Sequence, residues 1–204
     1  FNTVHTLSDL GILENIENKF SFGTKLYALG KSAAHGSRLI KHIHPYLKSI
    51  SKKTNLSAFL GVRSGLKVMI IDKSDSAYDL KISSEIGAKI PLVAGAHGKA
   101  LLSLLDTNEI TEILSHPETQ KYIHRSGKSK KEYFDSVMKV KYQGFFFENE
   151  EYLEGIRALS IPLNLNRSDL QCAIWMVGLK SQVKGTSLET YIEFLKEIAS
   201  KIES

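Results

Sequence analysis

The 204-residue chain has one cysteine, one tryptophan and four prolines. A lone Cys172 cannot form an internal disulfide, which fits a reducing compartment better than a bridge-stapled secreted scaffold. No apolar run approaches the ~20 residues that span a bilayer. The opening residues carry no leader pattern, so a cytoplasmic protein without a membrane segment is expected. Metal-binding spacing is missing as well: His42 and His44 lie two apart and would face different sides of a helix. Neither a Gly-x-Ser-x-Gly elbow nor a nucleophile–base pair can be found. Cys172, inside the apolar run Gln-Cys-Ala-Ile-Trp, reads as a small core residue. These absences argue against an enzyme, a metal site and a cofactor.

What is present is an ordinary globular composition. Hydrophobic residues make up 42% and charged residues 24% of the chain, enough for a sizeable core and too apolar for disorder. The length suits one domain plus a smaller one. The net charge of +5 suits an anionic partner without demonstrating one, since surface lysines that serve solubility are the commoner cause.

In chain order, Thr3 to Leu10 reads as a helix with Val4, Leu7 and Leu10 on one face and Gly11 as its stop. Ile12 to Asn15 and Lys19 to Phe22 flank the turn Ile16-Glu17-Asn18 as a small hairpin. Lys31 to His44 reads as a helical connector whose apolar side (Ala33, Ala34, Leu39, Ile43) invites a partner. Pro45 is expected to open a further helix through Lys53. Leu56 to Val62 and Leu66 to Ile71 form a hairpin around Arg63-Ser64-Gly65, and Leu80 to Ser83 is a candidate short strand. Thr107 is expected to cap a helix over Asn108 to Ser115. The basic run from Arg125 to Lys131 reads as a solvated turn, and Ser129 as the cap of a helix to Lys141 buried on Phe134, Val137 and Met138. Phe145 to Glu148, Ala158 to Leu165 and Gln171 to Leu179 are the last strands, with Asn166 to Asp169 turning between the final pair. An amphipathic helix from Ser187 to Ile202 closes the chain, with Leu188, Ile192, Leu195, Ile198 and Ile202 inside. Antiparallel strands flanked by helices imply an α+β fold.

The most informative stretch is Ile90 to Leu105, IPLVAGAHGKALLSLL. A proline ends an extended segment, and Ala94, Gly95 and Ala96 open a helix with Leu101, Leu102 and Leu105 on one stripe. A helix start carries unpaired N–H groups and can hold a carboxylate or phosphate; equally, Gly95 and Gly98 can serve close helix–sheet packing. Gly95-Ala-His-Gly98-Lys99 is not a nucleotide loop. Only two residues separate Gly95 from the Gly-Lys pair where four are needed, and Ala100 stands where a hydroxyl is required.

A second stretch, Phe145 to Leu163, FFFENEEYLEGIRALSIPL, completes a pattern. Pro-small-small-Gly-Lys-Ala at a helix start is followed by Gly144-Phe145, by Glu151 to Gly155 and by Leu159-Ser160-Ile161-Pro162. This order resembles the effector-binding domain of the IclR family of bacterial transcriptional regulators, and the resemblance covers nearly the whole chain. It implies a GAF-like effector-binding domain, an antiparallel sheet with helices on both faces, over residues 45–204. Residues 31–44 become a linker helix. Residues 1–30 become the remnant of a winged helix-turn-helix, its recognition helix end and wing, followed by Leu26-Tyr-Ala-Leu-Gly30. The chain is thus expected to be an incomplete regulator, with Thr3, His5, Thr6 and Lys19 towards DNA.

The resemblance further implies a small organic acid or related metabolite bound between the sheet and the glycine stretch. The receiving amides fall on Ala96 and His97 beside Gly95, and the acidic wall residue is Glu148. The family's cysteine is Ala158 here, and its two serines are Trp175 and Val177. Losing three polar groups shifts the wall towards apolar or stacking surface, and Trp175 either lines a ligand or fills the space. The expected partners are double-stranded operator DNA for the full-length protein, a small-molecule effector of carboxylate type, and a second copy in a homodimer or homotetramer. The alternative is a GAF-like small-molecule sensor or enzyme without DNA binding.

Overall fold

A computed structural model describes the whole chain except residues 1, 17–18, 37, 166–169 and 184–186, and excludes the side chains of residues 2, 31, 33–36 and 125. The turn expected at Asn166 to Asp169, the tip of the first hairpin and the Ala33 and Ala34 side chains therefore lie outside the described residues. The chain divides into two units, residues 1–42 and 43–204.

In the first unit, α1 (Asn2–Asp9) is stopped at Gly11, whose φ of +68° is the left-handed region glycine enters freely. There the Ile12 N–H donates to the Leu7 carbonyl at 2.9 Å. β1 (Leu13–Ile16) pairs antiparallel with β2 (Lys19–Phe22), Leu13 opposite Phe22. α2 (Thr24–Gly36) starts where the Thr24 N–H donates to Glu14 Oε1 at 3.1 Å. The stretch expected as one connector, 31–44, is divided between two helices, because α2 ends at Gly36 and α3 (Arg38–Thr54) begins at Arg38.

The boundary between units falls within α3. Pro45 lies inside that helix and does not open a new one. Its ring cannot donate to the Lys41 carbonyl, but the buried stripe Ile43, Leu47 and Ile50 continues across it and carries the helix through. Ile43 is fully buried, so it cannot face a partner as expected from the sequence.

The second unit holds a six-stranded antiparallel sheet in the order β5-β4-β3-β8-β7-β6. The strands are β3 (Ser57–Ser64), β4 (Lys67–Ser74), β5 (Lys89–Pro91), β6 (Phe146–Asn149), β7 (Ile156–Leu163) and β8 (Cys172–Leu179). No strand forms at residues 80–83; that segment leaves Leu80 exposed, and the edge beside β4 is taken by β5. Pro91, lacking an N–H, is suited to such an edge. β3 and β8 are buried almost end to end because both faces are covered. Phe59, Trp175, Val177 and Ala158 share one face with α4 (Gly95–Leu102), which packs on β6, β7 and β8. On the other face α8 (Leu188–Glu203) packs against β7, and Lys53 Nζ of α3 sits 3.8 Å over the Phe194 ring.

The remaining helices show how capping chemistry fixes ends. α5 (Thr107–Ser115) is capped by Asp106, whose carboxylate accepts the Asn108 and Glu109 N–H groups, so Thr107 is the first helical residue and not the cap. α6 (Pro117–Arg125) has no counterpart in the sequence reading. His116 caps it, Pro117 opens it, and its apolar residues are too few to make a stripe. α7 (Lys130–Gln143) has the Ser129–Glu132 capping box and ends at Gly144, φ +79°. It buries Tyr133, Val137 and Val140, while Phe134 and Met138 are half-buried, so the inward face is turned from the one expected.

Candidate functional site

The start of α4 lies against the sheet at very close range. A methyl at Gly98 would sit 1.7 Å from the Leu92 carbonyl oxygen, so that position requires glycine for packing. Gly95, with φ +75°, serves the turn into the helix, and its bare Cα faces two polar side chains. A Cβ there would lie 3.1 Å from Glu148 Oε2 and 3.2 Å from His97 Cε1.

Next to this turn is a cavity of about 120 Å³. Its walls are Phe59, Ile70, Ala158, Trp175 and Val177 from the sheet, Gly95 and His97 from the helix start, and Glu148 from β6. Ile82, Ser84, Ile90, Tyr152, Leu153 and Ile156 close the rest. Six of the seven residues singled out as effector-binding thus surround one cavity. Ala96 does not line it: the residue is fully buried, its N–H donates to Glu148 Oε2 at 2.7 Å, and its carbonyl accepts the Ser160 hydroxyl at 2.8 Å. The Ala96 amide, expected to receive a ligand's acid, is already filled by the protein's own carboxylate. Glutamate is one methylene longer than aspartate, and that reach brings it to the helix start.

Glu148 is 3% exposed, and its other oxygen accepts the Tyr152 N–H at 2.9 Å. Burial raises its pKa from the ordinary carboxylate value, against the two amides and the Lys99 charge. His97 is pushed down to about 4, by burial first and then by the Lys99 charge, with the Pro91 backbone carbonyl working the other way. Its Nε2 is buried without a hydrogen-bond partner. The ring is tilted against Trp175, centroids 4.9 Å apart, and Trp175 stacks on Phe59 at 5.5 Å. Trp175, 4% exposed, is therefore both core and cavity wall.

Lys99 was missed from sequence. It is 2% exposed, with Nζ 2.5 Å from Glu151 Oε2 and 4.1 Å from the centre of the Phe146 ring. Burial lowers its pKa while Glu151 opposes that shift. Burial works against charge on Glu151 too, yet Lys99 and Lys128 hold its carboxyl below the ordinary value. Lys128 Nζ lies 2.8 Å from Glu151 Oε1, so part of the basic run expected as solvated loop is tied to this network. The signal available in sequence was one lysine in a helix that, apart from His97, is made of small and apolar residues.

Two other surfaces complete the survey. A larger open groove of about 390 Å³ passes over Leu104, Val140, Lys141, Ile161 and Lys196, but no buried charged group lines it. In the first unit, Thr3, His5 and Thr6 are exposed on α1 and Lys19 is exposed at the start of β2. Among the described residues no cluster of His, Cys, Asp or Glu could hold a metal ion, and no helix is long and apolar enough to cross a membrane.

Comparison with known proteins places these features. The family model described as the bacterial transcriptional regulator IclR C-terminal region matches residues 31–204. The HTH-type transcriptional regulator KdgR of Escherichia coli (strain K12) is 28% identical over 207 residues, covering 100% of this chain and 78% of that protein. KdgR of Dickeya chrysanthemi is 32% identical over 166 residues, covering 80% of this chain but only 54% of its relative. A solved transcriptional regulator from Alicyclobacillus acidocaldarius has the same fold, with a TM-score of 0.80 at 21% identity over 99% of this chain and 82% of that one.

Proposed function

The chain belongs to the IclR family of bacterial transcriptional regulators, and from that membership we propose that it acts as a ligand-responsive, DNA-binding regulator in the cytoplasm. In this reading residues 45–204 are an effector-binding domain and the cavity beside α4 takes a small metabolite. Residues 1–30 are part of a winged helix-turn-helix, and residues 31–44 link the two. The observation that carries the reading is the coincidence of a family match over 31–204 with a partly closed cavity at the helix start, walled by Gly95, His97, Glu148, Ala158, Trp175 and Val177. Apolar walls with a few convergent polar groups are the usual make-up of a small-molecule site.

The DNA side of the proposal rests on α1 and the β1–β2 hairpin, with Thr3, His5, Thr6 and Lys19 exposed and turned towards phosphates or base edges. The exposed Leu26 and Leu29 on α2 offer a surface for a second copy, and two-fold assembly would set half-site spacing. The full-length protein works as a homodimer or homotetramer and performs no catalysis. Gel shifts across a salt series test this: full-length protein should bind an operator with steep salt dependence, and this chain alone weakly and without sequence preference. Sequence-specific binding by this chain alone would overturn the assignment of its first unit.

A further inference from the structure

Building on the effector-site reading above, we infer that the cavity selects an uncharged, hydroxyl-bearing small molecule over acids and amines, because Glu148 already occupies the helix start. The carboxylate is held at both oxygens, by the Ala96 N–H at 2.7 Å and the Tyr152 N–H at 2.9 Å. A ligand carboxylate aimed at the same amides must displace Glu148 or sit beside it, and like charges in an apolar enclosure repel strongly.

An amine meets a different obstacle. Behind the cavity Lys99 and Lys128 face Glu151 at 2.5 and 2.8 Å, and the Lys99 charge also reaches Glu148. Two cations and two carboxylates balance one another, and His97 in the wall is neutral at pH 7. Among the residues around the cavity Glu148 is the one acidic side chain, and no lysine or arginine lines it. A ligand charge of either sign would therefore enter an enclosure that is already compensated, and would lose its hydration for little return.

A hydroxyl fits what is left over. Glu148 has lone pairs beyond those used by the two amides, and His97 Nε2 is buried without a partner. Both side chains converge on the bare Cα of Gly95. One hydroxyl can donate its proton to the carboxylate while accepting from a protonated Nε2, or donate it to Nε2 when that nitrogen is the bare one; a second hydroxyl on the same ligand lets both acceptors be served. The rest of the ligand meets Phe59, Ile70, Ala158 and Trp175. The size is bounded as well, since a cavity of roughly 150 Å³ holds a benzene ring and this one is about 120 Å³.

The test uses cyclopentanol, cyclopentanecarboxylate and cyclopentylammonium, which share one apolar body. Each is titrated at pH 8 into the 15N-labelled chain, following the Trp175 indole N–H and the Gly95 amide by NMR. The alcohol is expected to shift both signals at concentrations at least tenfold below those needed by either ion. Glu148→Gln, checked for fold by circular dichroism, should improve carboxylate binding at least tenfold and weaken alcohol binding at least threefold, because the hydroxyl loses its charged acceptor. A wild-type chain that binds the carboxylate or the ammonium as tightly as the alcohol overturns the selectivity while leaving the cavity as the site. If none of the three moves those signals, the effector site itself is misassigned and the inference falls with it.

Discussion

Acid should weaken this fold through His97, and the size of the effect follows from its surroundings. The ordinary imidazole value is 6.5, and the folded value is about 4 because a charged ring would be stranded between α4 and Trp175. Below pH 6.5 the unfolded chain takes up a proton that the folded chain refuses. This contribution is therefore fully present above pH 6.5 and is lost as the pH falls towards 4. Each pH unit in that window removes about 1.4 kcal/mol, so the loss between pH 7 and pH 5 is about 2 kcal/mol. The raised pKa of Glu148 acts with opposite sign, since acid relieves a buried carboxylate. The contribution of His97 must therefore be isolated by difference. His97→Phe keeps a ring against Trp175 and removes the titration. In urea unfolding at pH 7 and pH 5, the wild-type chain should lose about 2 kcal/mol more than the variant, or roughly 1 M in midpoint. Any packing cost of the larger ring is common to both pH values and cancels. Equal losses in the two proteins would show that His97 titrates normally and that the cavity is wetter than described.

Gly98→Ala should be among the most damaging single changes, because its methyl would lie 1.7 Å from the Leu92 carbonyl oxygen, a backbone atom that cannot swing aside. At least ~3 kcal/mol, or about 6 °C or more in Tm by circular dichroism, is expected; a shift under 2 °C would refute that packing. Ser129→Ala removes one half of the capping box on α7 and should cost about 1 kcal/mol by urea unfolding. Cys172 is buried and burial pushes its thiol up to about 11, so a disulfide reagent at pH 7 should label it only when urea unfolds the chain. Rapid native labelling would mean that β8 opens easily.

Periodicity and turn chemistry made most of the sheet readable. Alternating or continuous apolar runs and the Arg63-Ser64-Gly65 turn marked the main strands, and Ser129 announced α7, whose capping box with Glu132 the structure adds. Readings failed where a local signal met a tertiary constraint. Pro45 suggests a helix start, but the stripe of Ile43, Leu47 and Ile50 holds α3 together through it. Residues 80–83 alternate like a strand yet find no ladder, because the edge of β4 is filled by Lys89–Pro91. α6 lacks an apolar stripe and rests on its cap and its proline. At the site, residue positions were readable but not their occupancy. No spacing rule could show that Glu148 reaches back to the Ala96 amide or that Lys99 is buried against Phe146. Both depend on strands brought together from distant parts of the chain.

The central claim, a metabolite cavity walled by Trp175 that governs DNA binding, has a direct test. Trp175 is the only tryptophan in this chain. The small molecule that releases full-length protein from operator DNA is titrated into this chain while tryptophan emission is followed. A saturable change in emission at the concentrations that release DNA is the predicted result; full release of DNA with the emission of Trp175 unchanged would contradict the account.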